Sequence, residues 1–524
     1  MRLRRLGAGL LVVAGLGGCA WCAAASRTQG DGTEAGYPTL AVPPPVADEP
    51  VKPGPSGSVA PSAVARRLDA QRFVLGVNEG ISVPRRLLAR GLAQDRLTRM
   101  LGDDAAALRG LGATLVRGHT GAFPRTSMAE WSDVTRAELD LWVRTAQAAG
   151  LTPIGMVSPW PANHTANHTN AYVPADLPAY RTYVTAVVER YDGDGVDDMP
   201  GLAAPVRYWE VDNEPDLKFT RAPRPPREGL PARAAPPVGT FCTPEDYVTV
   251  LLASSAAIRA AAPDATILAF GLLQPHRESG VDYLRRALAV EGVRGSFDVL
   301  SVHGYADDGG VSLAEGIVNV RGLAPDVPLW VTETSASSAK DEERQARLVV
   351  ALSARAAEAG ASALLWHTLA DPPTVQEGAP RDGVVERDGP GPPAGVRGPA
   401  GHPPGEALRR GGPPPPQNRG GHGVPTALAH NSLFRMGDDG ALTPKPAAGV
   451  YAELATILRA HDLAGARSAG EGMTLLADGS RLLWKGGTVA ENGGRDLRGG
   501  RDLAPGERAR APAWLKAPPD GPAR

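Results

Sequence analysis

Cysteine is scarce, with three in 524 residues, at Cys19, Cys22 and Cys242. With two of them near the N-terminus, neither a disulfide framework nor a thiolate metal site is implied. An excess of one charge is missing as well. The 55 Lys and Arg nearly balance 57 Asp and Glu, for a net charge of -2. No long basic stripe is present, which speaks against a nucleic-acid backbone as partner. The apolar run Leu6 to Leu16 is shorter than the ~20 residues a spanning helix needs. The first strand-like segment ends Val77-Asn78-Glu79-Gly80 with no G-x-G-x-x-G, which counts against an open dinucleotide-binding sheet.

Hydrophobic residues make up 42% of the chain, enough for a large core. Arg2, Arg4 and Arg5 precede the short apolar run as in an export signal. Leu16-Gly17-Gly18-Cys19 resembles a lipobox, with Cys19 as the lipidated residue; the alternative is cleavage after Ala23 to Ala25. Residues 1–25 are therefore read as an export segment. The expected location is the cell envelope, with membrane contact only through a lipid at Cys19. Residues 26–63 are rich in Pro, Gly and Ser and read as a tether.

From residue 73 strand-like and helix-like segments alternate. The strands read as 73–79, 114–119, 152–159, 206–214, 266–273, 297–305, 328–335 and 362–368. Between them lie amphipathic segments such as 135–150, which ends in Gly, and 243–264, which opens with Thr243 as N-cap and Pro244 at the first helical position. The eighth helix reads as 446–461. Eight strands each followed by a helix predict a (β/α)8 barrel over 64–461. Residues 371–423 interrupt it with 13 Gly and 13 Pro. Two readings apply: a disordered insertion, or a local reading-frame error in GC-rich DNA. Residues 462–524 read as a small β appendage and tail, including a hairpin turned at Asp478-Gly479.

A closed parallel barrel places its functional groups at the C-terminal strand ends. Those ends carry Asn78 and Glu79, Arg117 and His119, Asn213 and Glu214, His303 and Tyr305, Glu333, and Trp366 and His367. Strands four and seven lie across the mouth from each other, so Glu214 and Glu333 are placed to work as a pair. Two carboxyl groups flanking a sugar carbon are what glycoside hydrolysis requires. An Arg and a Tyr hydroxyl near Glu333 would keep it ionised.

Trp209-Glu210-Val211-Asp212-Asn213-Glu214-Pro215 resembles the W-E-x-x-N-E-P signature of clan A glycoside hydrolases. Leu329 to Glu333 is similar to that clan's nucleophile strand, and His303-Gly304-Tyr305 to its His-x-Tyr. The resemblance spans about 73–368 and 426–461 and looks nearest to families 5 and 39. It implies a retaining enzyme with Glu214 as acid/base and Glu333 as nucleophile, cleaving O-glycosidic, expectedly β, linkages of oligo- or polysaccharides. Asn213 would bind the sugar 2-hydroxyl, Tyr305 would orient the nucleophile, Arg117 would hold it ionised, and Trp366 would form an aromatic platform. His119 and His303 complete the expected substrate-binding set. Two features depart from the pattern: Asp212 adds a carboxylate, and Ser158-Pro159-Trp160 lacks the His that family 5 often has. The competing reading is a non-catalytic, surface-anchored carbohydrate-binding protein on the same fold.

This chemistry requires no cofactor. A structural Ca²⁺ is one reading of Asp192, Asp194 and Asp198, alternating with Gly in the loop before strand four. The other is a polar turn. His164 and His168 are read as a loop near substrate rather than a zinc site, since no acidic ligand adjoins them.

Overall fold

The computed structural model describes residues 72–81, 94–118, 131–159, 172–216, 242–305, 310–339, 341–371, 430–437, 439–470, 472–485, 487–488, 492–509 and 512–517. The export segment with Cys19, the tether, His119, His164, His168 and residues 372–423 fall outside them.

Helix starts are written locally. Thr243 and Asp246 form a reciprocal capping box on α4 (Pro244–Ala261), with Pro244 in the first turn. Ser132 caps α2 (Asp133–Ala148), Asp176 caps α3 (Leu177–Glu189), and Asp341 caps α7 (Glu342–Glu358). Each side chain accepts a backbone N–H that the helix cannot itself satisfy. The remaining barrel helices are α1 (Gln94–Leu111), α5 (Glu278–Ala289), α6 (Val311–Leu323) and α8 (Pro446–Ala460).

The strands are β1 (Val74–Asn78), β2 (Leu115–Arg117), β3 (Thr152–Val157), β4 (Tyr208–Val211), β5 (Thr266–Leu272), β6 (Val299–Tyr305), β7 (Leu329–Ser335) and β8 (Ala363–His367). They pair in sequence order, all parallel, and β8 closes on β1. This is the predicted (β/α)8 barrel. Its two faces carry different cores. Outward side chains such as Val77, Val116, Trp209, Val211, Val302, Val331, Leu364 and Trp366 pack in the large cluster that includes the helices. Inward, the lower barrel is filled by Val74, Leu115, Ile154, Tyr208, Leu268, Val299, Trp330, Ala363 and Leu365. Tyr208 and Trp330 pack there as a tilted pair with centroids 5.2 Å apart.

Closure has its own ties. Tyr451 of α8 donates its hydroxyl to the Gly76 carbonyl at 2.9 Å, and Phe73 N–H bonds Asp462 beyond α8 at 2.9 Å.

A short sheet missed by the sequence reading follows β8. Here β9 (Ala370–Asp371) runs parallel to β10 (Phe434–Met436), which pairs antiparallel with β11 (Leu442–Pro444). Buried Lys445 forms an ion pair with Asp371, and Asp371 also accepts the Ser432 N–H at 3.0 Å. The C-terminal appendage is larger than one hairpin. Its main sheet runs in the order β12 (Arg467–Ser468), β13 (Met473–Leu475), β14 (Arg481–Leu483), β19 (Ala513–Leu515), β16 (Gly494–Asp496) and β17 (Arg501–Leu503), with a further pair of β15 (Gly487–Thr488) and β18 (Arg508–Ala509). The expected turn lies between β13 (Met473–Leu475) and β14 (Arg481–Leu483), with Gly479 at φ 85°. Thr474 bonds Glu358 of α7, and Arg495 pairs with Glu453 of α8, fastening the sheet to the barrel.

Candidate active site

The pleat determines which residues of each strand enter the mouth. In a parallel pair, registered neighbours face the same side. Asn78 is in register with Arg117 on β2 and with His367 on β8, so all three point inward. Val77 is in register with Trp366, and both point outward. Trp366 is therefore not a sugar platform. It is 0% exposed and donates its indole N–H to the Asn431 carbonyl at 2.9 Å. Its neighbour His367 takes the place in the mouth, 3.2 Å from the Asn78 amide nitrogen.

Glu333 breaks strict alternation. Trp330 faces in and Val331 faces out, so Thr332 would face in and Glu333 out. The register shows why both face in. Val302↔Val331 is followed by His303↔Glu333, and Val331↔Leu364 by Thr334↔Trp366. Relative to both neighbours β7 holds one extra residue, a bulge that re-aims the side chain after it. A matching irregularity lies in β5, where Phe270 and Gly271 have φ of 86° and 50°. A Cβ at Gly271 would sit 3.4 Å from both Glu210 Oε1 and His303 Nε2. That is ordinary contact, so it is the left-handed conformation that glycine suits here.

Strand β4 ends in a twisted segment. Asp212 and Glu214 both have positive φ, 65° and 51°. The Glu214 N–H bonds the Gly271 carbonyl at 3.2 Å. Asp212, the extra carboxylate, is turned to the barrel wall, where it accepts from Ser158 at 2.7 Å and from the Tyr172 hydroxyl. Left-handed non-glycine residues cost on the order of 1–3 kcal/mol and persist where the surroundings over-determine them. These bonds do that for Asp212.

Glu333 is clasped by donors. Asn78 Nδ2 reaches Oε2 at 2.9 Å, Arg117 Nη1 reaches the same oxygen at 3.5 Å, and the Tyr305 hydroxyl donates to Oε1. Burial alone would push this carboxyl up. The charges of His367, His303 and Arg117, with the Tyr305 bond, outweigh burial and hold it below the usual carboxylate range. Tyr305 is pushed well up by burial and by the charges of Glu333 and Glu214, so it stays a donor.

Arg117 is fully buried. Its Nε donates to Glu210, Nη1 to Asn78 Oδ1 at 3.3 Å, and Nη2 to Asn213 Oδ1 at 2.7 Å. Glu210 accepts a second bond from Thr332 at 3.0 Å. His303 bridges the two sides: Nδ1 is 3.1 Å from Glu214 Oε1, and Nε2 is 3.2 Å from Thr332 Oγ1. Burial lowers the His303 pKa, but Glu333 and the Glu214 bond outweigh it and raise it.

A carboxylate oxygen of Glu214, one of Glu333 and a ring nitrogen of His303 lie within 4.8 Å of one another. As a metal site this group fits poorly, because the Glu333 oxygens already serve a guanidinium, an amide and a phenol.

These side chains stand on a barrel with known counterparts. The structure superposes on a family 39 glycoside hydrolase from the gut symbiont Bacteroides cellulosilyticus WH2 with TM-score 0.54 and 14% identity, covering 86% of this chain and 82% of that one. The fold is shared with glycoside hydrolases. A glucosidase from Croceicoccus marinus (TM-score 0.46, 15% identity, 84% and 82% covered) and a monomeric β-xylosidase from Caulobacter crescentus CB15 (0.46, 14%, 80% and 74%) also match. No family model matches the sequence, and no match is found among curated proteins.

Of the expected residues, Glu214, Glu333, Arg117, Asn213, His303 and Tyr305 converge on the mouth. Asn78, Glu210, Thr332 and His367 belong to the same network without having been picked out as site residues. Asn78 and His367 end strands and could have been chosen on that ground. Glu210 and Thr332 sit one step deeper, where a strand usually carries apolar residues.

In the loop before β4, Asp192 and Asp194 come together while Asp198 faces the backbone. Asp198 turns both carboxylate oxygens onto the amides of Gly193 and Gly195, at 3.0 and 2.8 Å. The acids that approach one another are Glu189, Asp192 and Asp194. Asp192 is pushed up to about 6, first by burial and then by its acidic neighbours, against an opposing backbone bond.

Proposed function

We propose that this chain is a retaining O-glycosidase acting on β-linked sugars, with Glu333 as nucleophile and Glu214 as general acid/base. The observation that carries the reading is that Glu214 and Glu333 meet at the ends of β4 and β7, one oxygen of each lying within 4.8 Å of the other with His303 between them. The two carboxyl groups of a retaining pair stand closer together, ~5–5.5 Å, than those of an inverting pair, which must admit a water.

The roles follow from the surroundings. Glu333 is ionised and held by Asn78, Arg117 and Tyr305, so an oxygen can attack the anomeric carbon as the C–O bond breaks. Glu214 gives its proton to the leaving oxygen. In the second half, water loses a proton to Glu214, its oxygen attacks the same carbon, and Glu333 leaves. Arg117 uses Asn213 Oδ1, which leaves the Asn213 NH₂ to donate to a substrate hydroxyl. The likeness to the family 39 enzyme supports the fold on which this takes place. The lipobox-like Leu16 to Cys19 favours export to the cell envelope, with the lipid as the only membrane contact.

Variants tested on a panel of aryl β-glycosides check the roles. Glu333→Ala abolishes turnover, and azide restores it with inverted configuration. Glu214→Ala loses on the order of 10²–10⁴-fold on poor leaving groups but still processes activated ones. Wild-type rates for both variants on a substrate the parent cleaves would falsify the assignment.

A further inference from the structure

We propose that Thr332 and Glu210 are positioning residues that fix the tautomer of His303 and thereby the proton it shares with Glu214; the catalytic consequence rests on the glycosidase reading above.

A hydroxyl has one proton to give. Glu210, paired with Arg117, is a carboxylate and can only accept. The 3.0 Å bond from Thr332 Oγ1 to Glu210 Oε1 therefore uses the Thr332 proton. Toward His303 the Thr332 oxygen can then only accept, so the 3.2 Å contact puts a hydrogen on Nε2. The other ring nitrogen, Nδ1, faces Glu214 at 3.1 Å. With neutral His303 it presents a lone pair, which accepts from a protonated Glu214. With protonated His303 it donates to the Glu214 carboxylate. Either way the contact holds one proton, available to the leaving oxygen.

Glu210 reaches both halves of the chemistry. Oε2 takes the Arg117 Nε–H, and Arg117 extends to Glu333 and Asn213. Oε1 reaches His303 through Thr332. The charged groups around His303 are Glu214 and Asp216 beyond β4, Glu333 from β7 at 3.9 Å, and Arg117 from β2, with Glu210 behind Thr332. Glu210 is completely buried, so a substrate touches neither it nor the Thr332 bond to it. The proton count balances over the cycle. The proton that leaves with the aglycone is replaced from water in the second half, and His303 keeps its Nε2 hydrogen throughout.

Without the Thr332 hydroxyl, Nε2–H has no acceptor. The neutral ring then favours Nδ1–H, which bonds only an ionised Glu214 and so opposes its acid form. Thr332→Val is expected to lose about tenfold in kcat/KM on poor leaving groups and less than about twofold on activated ones, within the range of general acid catalysis. Its alkaline limb should move to lower pH, and Thr332→Ser should restore both properties. Nitrogen-15 NMR of the His303 ring reports the tautomer without any turnover. It should show Nε2 protonated in the parent and Thr332→Ser, and the proton moved to Nδ1 in Thr332→Val. A parent with Nδ1 protonated and Nε2 bare overturns the proposal, as does a Thr332→Val enzyme with the parent's pH profile and leaving-group dependence. If Glu333→Ala is as active as the parent, the glycosidase reading fails instead, and the ring spectrum alone decides the tautomer.

Discussion

Two layers of the same barrel, about one step apart along the strands, are built on opposite rules. The lower layer is Val74, Leu115, Ile154, Tyr208, Leu268, Val299, Trp330, Ala363 and Leu365, all apolar or aromatic and buried. The upper layer replaces them with Asn78, Arg117, Glu210, His303, Thr332 and Glu333, equally buried but joined through hydrogen bonds. On β4 the change takes two residues, from Tyr208 to Glu210. The lower layer tolerates any side chains that fill the volume. The upper one tolerates few, because each buried donor or acceptor needs its partner. An apolar core and a hydrogen-bonded candidate site are thus stacked in one tube of strands.

Breaking each layer once should sharpen the contrast, and this is the largest effect expected. Trp330→Ala opens a cavity and costs roughly 3–5 kcal/mol. Arg117→Ala leaves Glu210 buried without its cation and costs a similar ~3–5 kcal/mol. Only the second should alter the chemistry: losing the guanidinium raises the acid limb of activity, since Glu333 then ionises less readily. Denaturant melts combined with pH–rate profiles test this. Equal profiles in the two variants would erase the functional difference between the layers.

A second effect separates the polar layer through pH. The His303 pKa is raised on folding, so its stabilisation is full below about 6.5 and is lost as pH rises through the folded value. Glu333 is lowered, so its contribution is present above about 4.5 and is lost as pH falls further. Asp192 and Asp216, both pushed up to about 6, bind protons more tightly when folded and add stability as pH falls through that value. For Asp216 burial is the leading cause, opposed by bonds from the Leu273 and Gln274 amides. The midpoint of thermal unfolding is therefore expected to peak between about pH 4.5 and 6. A maximum at pH 8 would remove these four groups as the source of pH dependence.

The smallest effect concerns the outer wall. Trp366→Phe should lose one hydrogen bond to Asn431, about 1 kcal/mol, and leave KM within about twofold. A tenfold rise in KM would return Trp366 to the substrate.

Much of this was legible in the chain. Alternating strand and helix patterns located all eight barrel strands, and Thr243-Pro244 marked the start of α4. Glu214, Glu333, Arg117 and Tyr305 were recognisable because polar groups at the C-terminal ends of barrel strands converge on its mouth. Glu210 was quoted within a motif without a role, since nothing along the chain shows Arg117 and Thr332 meeting it from other strands. For Asp198 a cation loop and a polar turn both stayed open, because spacing shows carboxylates but not the amides they turn toward. The small β9–β11 sheet was hidden because its strands are two or three residues long and flank residues 372–429.

By itself the sequence determined the elements, their order and the chemical inventory of the mouth, because periodicity, caps and residue type are local properties. Which side chain of each pair entered that mouth was decided only by the closed barrel. Trp366 and His367 are adjacent in the chain, and the register with β1 sends one to the wall and the other to the site. Strict alternation would turn Glu333 outward beside Val331. The extra residue in β7 turns it in, and such a bulge exists only relative to β6 and β8.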